Sequence, residues 1–211
     1  MEITVQGVKI ELFKEKYIFV PDHQFIIISD IHFGKTEHFR KSGIAIPPKT
    51  QEIDFQILAQ ILEKHHPKEC IFLGDLFHSI YNQAWDRLMA LLGKYPEILF
   101  ILVKGNHDII SQNRVDKSPL HAVEHYLVND LIFTHEPQEI VEMGKYNIAG
   151  HIHPGVALRG KGKQSLRLPC FYFGLDQGIM PAFGRFTGLY VLPKLKDTKV
   201  IAITPDSLIE V

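Results

Sequence analysis

Three uninterrupted apolar runs, Phe25-Ile26-Ile27-Ile28, Ile71-Phe72-Leu73 and Ile98 to Val103, constrain this chain more than any other feature. Each has strand length without polar alternation, the mark of a strand covered on both faces. Between them lie two stretches of helical spacing. Ile53, Ile57, Leu58, Ile61 and Leu62 recur at three- and four-residue steps from Thr50 to His66, with Pro47 and Pro48 before them and Pro67 after. Trp85, Leu88, Met89 and Leu92 form a second stripe, closed by Gly93. The order strand, helix, strand, helix, strand predicts a parallel sheet with crossover helices.

The flanking regions read differently. Ile3 to Val20 reads as a small meander, and Ile31 to Pro48, polar and basic, as a loop over the end of the first run. Beyond the third run the pattern turns to strands at Ala122 to Val128, Leu131 to Thr134, Tyr146 to Ala149, Cys170 to Phe173, Gly188 to Leu192 and Val200 to Ile203, an expected antiparallel second half. The 211 residues show no linker composition or internal repeat, so residues 1–211 are expected to form a single domain. Lys and Arg total 23 against 24 acidic residues, a formal charge of -1, which offers a polyanion no broad attraction. Any nucleic-acid contact must come from a local patch. The start lacks a basic segment followed by an apolar one, and no run approaches the ~18 residues of a membrane span, so a cytoplasmic protein with no membrane partner is expected. Cys70 and Cys170 sit in apolar runs, as buried reduced thiols do.

Histidine is the compositional outlier, at 12 residues. Several of these fall in polar clusters at the ends of strand-like runs: Asp30-Ile31-His32, Gly74-Asp75, Gly105-Asn106-His107-Asp108, Thr134-His135 and Gly150-His151-Ile152-His153. In an open α/β sheet, ligands bind beyond the carboxyl ends of the strands, so these clusters can converge on one site. Alternate residues of extended chain point the same way, which would let Asp30 with His32, and His151 with His153, each grip a cation from one side. Carboxylate, imidazole and amide oxygen without thiolate suit Mn, Fe or Zn. Two carboxylates and four histidines exceed the needs of one tetrahedral ion. A pair of ions about 3.5–4 Å apart, bridged by Asp75, would use the whole set and suit in-line attack on phosphorus. Taken singly, Asp30-x-His32 is as compatible with a cap, Gly74-Asp75 with a turn and His135 with a structural histidine. The ordered set argues for a site.

These ordered motifs resemble those of the calcineurin-like metallophosphoesterases, whose pattern is D-x-H, G-D, G-N-H-D or G-N-H-E, H, and G-H-x-H. The resemblance implies a four-layer αββα sandwich, two mixed sheets flanked by helices. It implies that Asp30, His32 and His153 hold one divalent ion and Asn106, His135 and His151 the other, with Asp75 bridging and a metal-bridging hydroxide attacking phosphorus. It further implies that His107 is a catalytic general acid or charge stabiliser oriented by Asp108. Within the superfamily the chain is most similar to the ligase-associated DNA damage response endonucleases, through Ser29 to Lys35, Phe39 to Pro47, Gly150 to Pro154 and Pro181 to Gly184. That similarity implies a manganese-dependent endonuclease acting on phosphodiester bonds, with single-stranded DNA as substrate and a DNA ligase, exonuclease and helicase of a repair system as partners. The alternative is a phosphodiesterase or pyrophosphohydrolase acting on a small nucleotide or lipid-linked phosphoester. Leu76-Phe77-His78-Ser79 follows Gly74-Asp75 where protein serine/threonine phosphatases carry D-x-x-D-R-G, which disfavours that branch.

Lys35, His38, Arg40 and Lys41 form a basic stretch beside the first ligands, with Lys35 and Arg40 the candidates for binding substrate phosphate; a solvated charged loop is the plain alternative. His78 is a further candidate near the substrate, or a residue that simply bonds the backbone. Arg159, Lys161, Lys163 and Arg167 form a second basic group that reads first as a solubilising hairpin tip. A catalytically silent scaffold of the same fold is the remaining rival, and the complete ligand set speaks against it.

Overall fold

The computed structural model describes residues 1–41, 43, 50–78, 83–160, 162 and 164–211. The first part of the chain runs β1 (Glu2–Val5), β2 (Val8–Phe13), β3 (Tyr17–Val20), β4 (Phe25–Ile28), α1 (Lys35–Lys41), α2 (Thr50–His65), β5 (Glu69–Leu73), α3 (Gln83–Leu92), β6 (Leu99–Val103), α4 (Gln112–Val115) and β7 (Leu120–Val123). Its seven strands form one sheet in sequence order. The pairs from β1 to β4 are antiparallel and those from β4 to β7 parallel, so the three apolar runs make the expected parallel centre with α2 and α3 as crossovers.

The runs lack alternation because both faces are buried, and successive residues face different partners. Ile26, Ile28, Phe72, Phe100 and Leu102 pack under Leu58, Ile61 and Leu62 of α2 and Leu88 and Leu92 of α3. Ile27, Ile71, Leu73, Ile101 and Val103 pack the other way, on Phe133, Ile148, Phe171 and Ile201. That second set belongs to the rest of the chain: β8 (Tyr126–Val128), β9 (Leu131–Thr134), β10 (Tyr146–Ala149), β11 (Pro154–Arg159), β12 (Ser165–Phe173), β13 (Gln177–Ile179), β14 (Tyr190–Val191), β15 (Lys199–Ile203) and β16 (Leu208–Glu210). These nine strands form a second sheet along β14-β11-β12-β13-β10-β9-β8, with β15 paired to β12 and β16. The result is the expected α/β sandwich of two stacked mixed sheets. Its long helices lie on the seven-stranded sheet, and none of the four described helices follows β7.

Three sequence expectations change. The second half is not purely antiparallel: β10 is parallel to both β9 and β13, and β11 to β14. Residues 135–145 are long enough to return the chain to the same end of the sheet, as a parallel pair requires. The single strand expected over Ala122 to Val128 is two, β7 in the first sheet and β8 in the second. Glu124-His125 interrupts the apolar content between them, but two polar residues do not by themselves reveal that the chain changes sheets there. Lys35–Lys41 is a helix inside the expected loop, with Lys35, Glu37, Arg40 and Lys41 as its helix formers and no apolar stripe. Cys70 and Cys170 are buried and free, as anticipated. No helix among the described residues is long and apolar enough to cross a membrane.

Candidate metal centre

Parallel strands send their carboxyl ends to one edge. Asp30 follows β4, Asp75 follows β5 and Asn106 follows β6, while His135 follows β9 and His151 and His153 follow β10. The strand ends continue as a hydrogen-bonded ladder of loops. His32 N–H donates to Asp75 O (2.9 Å) and Phe33 N–H to Leu76 O (2.9 Å). His151 N–H donates to the Asp30 carboxylate (2.9 Å), joining the second sheet to the first at the site.

The expected alternation of extended chain is not how these pairs converge. Asp30 (φ 52°), His32 (53°), Asp75 (48°), His151 (66°) and His153 (52°) all adopt left-handed backbone. Asp and His tolerate this region better than most residues, yet each instance costs of order 1–3 kcal/mol, so surrounding contacts must hold it. Two glycines provide the closeness. A Cβ at Gly150 would overlap Ser29 Oγ and Asp30 Oδ2, and one at Gly184 would overlap Ile31 O.

Two groups of ligand atoms result. Asp30, His32 and His153 form one, and Asp75, His135 and His151 the other, the atoms of each lying within 4.8 Å of one another. In the first, His153 Nε2 lies 3.2 Å from Asp30 Oδ1. Asp30 Oδ1, both His32 ring nitrogens and His153 Nε2 are buried without a hydrogen-bond partner. Buried polar atoms left this way normally cost free energy, and a cation among them would satisfy Asp30 Oδ1, His153 Nε2 and one His32 nitrogen, so the residues present fit a divalent ion. In the second, His135 Nδ1 meets Leu73 O at 2.9 Å, which fixes its tautomer and leaves the Nε2 lone pair facing inward. His151 Nδ1 lies 3.1 Å from that Nε2. Asp75 stands between the groups, with Oδ2 3.7 Å from His32 Nε2 and Oδ1 3.5 Å from His135 Nε2. Each of its oxygens faces one group, the disposition a bridging carboxylate needs.

The electrostatics favour ligation. Burial, reinforced by Lys35, pushes the His32 pKa down to about 3, so its imidazole stays neutral and able to bind metal. Burial raises the Asp30 pKa, but the His153 imidazole beside it, with the hydroxyl of Ser29, outweighs that and holds the carboxyl below its usual range. Lys35 is depressed by burial while Asp75 and Asp30 oppose the shift, which places its ammonium within the field of both carboxylates.

The remaining candidates divide. Asn106 is exposed and its Nδ2 donates to Glu136 Oε1 (2.7 Å), leaving the amide oxygen as the atom available to a metal. His107 is exposed, with its ring centroid 5.6 Å from those of His32 and His78, and its N–H donates to Asp75 Oδ1 (2.9 Å). No Asp108–His107 side-chain hydrogen bond is formed among the described residues. Asp108 instead accepts N–H bonds from Leu76 (2.9 Å) and Phe77 (3.2 Å) at one oxygen and Gly105 (3.0 Å) at the other. It ties the loop after β6 to the loop after β5, and burial raises its pKa to about 6. Arg40 is exposed on α1, and Arg159 and Arg167 on the β11–β12 hairpin, with no ion pair to the ligands among the described residues. The side chains of His38 and Lys41, and Lys161 and Lys163 altogether, lie outside the described residues, as do Ser79 and most of the stretch from Ser42 to Pro47.

Sequence reading missed two residues that shape the centre. Ser29 is fully buried and donates to Asp30 Oδ2 (2.5 Å), holding the ligand from behind. Glu136 is exposed beside His135, and the hydrogen bond from Asn106, followed by the charge of His151, lowers its pKa. Ser29 lay within the segment of resemblance, but only its burial shows what it does.

The family model for calcineurin-like phosphoesterases matches residues 23–178, well over half of the chain. No curated protein matches the sequence. Among solved structures, the Pseudomonas putida nuclease MPE superposes with a TM-score of 0.82 at 25% identity, covering 96% of each chain. A phosphoesterase from E. coli, Yfce, is 14% identical over 87% of this chain and 90% of its own, but its TM-score of 0.42 carries no weight. With the motifs in order, their ligand atoms gathered at the ends of parallel strands and a nuclease of similar fold beside it, the chain belongs to the calcineurin-like phosphoesterases and is a hydrolase of phosphoester bonds.

Proposed function

We propose that this protein is a dinuclear, manganese-using nuclease that hydrolyses phosphodiester bonds in single-stranded DNA. The observation that carries the dinuclear reading is Asp75, whose two oxygens address two separate ligand groups. When bound, two divalent cations supply charge neutralisation and an activated water for in-line displacement. Asp30, His32 and His153 would hold one, and Asn106, His135 and His151 the other. Lys35, within the field of Asp30 and Asp75, receives a phosphate oxygen of the substrate. His107, edge-on to His32 and stacked with His78, would protonate the leaving oxygen. Asp108 keeps His107 in place through the backbone, by tying its loop to that of Asp75.

The DNA substrate rests on the similarity to a nuclease at 25% identity over nearly the whole of both chains. A role in cytoplasmic DNA repair, alongside a ligase, exonuclease and helicase, extends the resemblance of the motifs. A formal charge of -1 favours a second reading, a small phosphodiester or nucleotide that needs no long-range attraction. Hydrolysis of a labelled single-stranded oligonucleotide and of a small chromogenic diester, both with manganese and with Asp75→Asn as control, separates the two. Cleavage of both, lost in the variant, supports the nuclease; cleavage of the small diester alone removes the DNA assignment. His107→Ala is expected to lose turnover while retaining metal, and metal loss equal to that of Asp75→Asn would make His107 a structural or ligating residue instead.

A further inference from the structure

Beyond the metal centre a larger groove of about 640 Å³ opens between the β2–β3 turn, α2 and the end of β15. Its link to the centre is physical. A smaller pocket, lined by His32, Lys35, Asp54 and Arg185 among others, shares the last two of these with the groove. Arg185 is held there by the backbone: Phe183 N–H donates to Ser29 O (2.8 Å) and Gly184 N–H to Asp30 O (3.2 Å), so the segment leading to it is strapped to the ligand loop.

The groove joins two kinds of surface. Ile57, Leu168, Phe183 and Pro205 give it apolar walls. Lys14, Lys16 and Arg185 bring cations, against Glu15 and Asp54. Arg185 Nε lies 3.4 Å from Asp54 Oδ1, and Asp54, though only 7% exposed, has no hydrogen-bond partner at that oxygen. Lys16 is partly withdrawn from water, and that burial lowers its pKa. Three cations, Lys14, Lys16 and Arg185, against two carboxylates, Glu15 and Asp54, leave the lining with an excess positive charge that an anion would satisfy. Apolar walls with a few convergent charged groups, in a volume of several hundred Å³, are the ordinary make-up of a small-molecule or nucleotide pocket.

We propose that this groove is a nucleotide subsite, in which Arg185 and Lys16 take the phosphate adjoining the scissile bond while the apolar wall takes the base or sugar attached to it. The proposal rests on the nuclease reading and adds the path of the strand away from the metal centre. The Asp54 carboxylate holds Arg185 at the junction of the two pockets, so Arg185 and Lys16 set affinity for a strand and are not catalytic residues.

The test compares Lys16→Gln and Arg185→Gln, with the double variant Asp54→Asn/Arg185→Gln to avoid leaving a buried carboxylate unpaired, and Lys94→Gln as a distant control. Steady-state cleavage of a labelled single-stranded dodecamer and of a small chromogenic diester is followed in manganese over a range of salt. For the dodecamer, KM is expected to rise about tenfold per cation removed, and the slope of log(kcat/KM) against log[salt] to flatten by about 0.7. Turnover of the small diester, which has no adjoining phosphate, should stay unchanged. Equal losses on both substrates, or no change on the dodecamer, would overturn the subsite. If wild-type protein cuts only the small diester, the nuclease reading fails and takes the subsite with it. If wild type cuts both and the variants do not discriminate, the subsite alone fails.

Discussion

The two halves of the metal centre are built on opposite principles. Around Asp30, His32 and His153 the protein withdraws water and leaves four ligand atoms without a hydrogen-bond partner. Around Asp75, His135 and His151 it supplies partners: Leu73 O for His135, His135 for His151, and Glu136 for Asn106 at the exposed rim. Buried atoms without partners make the first half depend on a cation for its shape, whereas the second, equally buried at Asp75 and His135, keeps its geometry through protein bonds and reaches solvent at Asn106 and Glu136. The first half is thus expected to hold its ion tightly and the second to exchange with solution. Asp75 belongs to both.

Removing the shared ligand should erase the difference. Asp75→Asn is expected to lower turnover by about 10³-fold or more and to weaken both ions, read by steady-state kinetics and metal content after dialysis. Ser29→Ala tests the buried half alone. Without the hydroxyl behind Asp30, affinity for the tightly held ion should fall about 10–100-fold in a metal titration, with the weaker site little changed. Equal weakening of both sites would show that the halves are not independent. A third probe uses pH on metal-free protein in chelator. Burial lowers the His32 pKa from 6.5 to about 3. Between those values the group is neutral when folded and protonated when unfolded, so stability present above pH 6.5 is lost as pH falls toward 3. Thermal midpoints of wild type should fall several degrees further between pH 7 and pH 5 than those of His32→Gln. The smallest effect is expected at the rim. Glu136→Gln removes a charge near Asn106 and His151 and should weaken only the exchangeable ion, about threefold to tenfold.

The sequence carried the centre of this architecture because its signals there are local. Continuous apolar runs fixed β4, β5 and β6 as strands buried on two faces, and the polar clusters after them marked the edge where ligands collect. The pairing partners of short strands were illegible: Tyr146 to Ala149 reads as a strand, but nothing in it reports that it lies parallel to β9 and β13. Helix α1 hid because its residues have helix propensity without an apolar face to betray it. At the site, which residues gather was readable but their conformation was not. Asp30 and His32 converge through left-handed backbone, which arises from tertiary contacts with Gly150 and Gly184 more than 100 residues away. The same limit applies to Asp108, whose motif points at its neighbour His107 while its oxygens go to the amides of Leu76, Phe77 and Gly105.

The claim on which everything else depends is that Asp75 joins two ions. Anomalous scattering from crystals of the manganese-loaded protein measures this directly. The account predicts two peaks about 3.5–4 Å apart, one beside Asp30, His32 and His153, the other beside His135 and His151, each in contact with a different oxygen of Asp75. A single peak, or two peaks of which Asp75 touches only one, would contradict it.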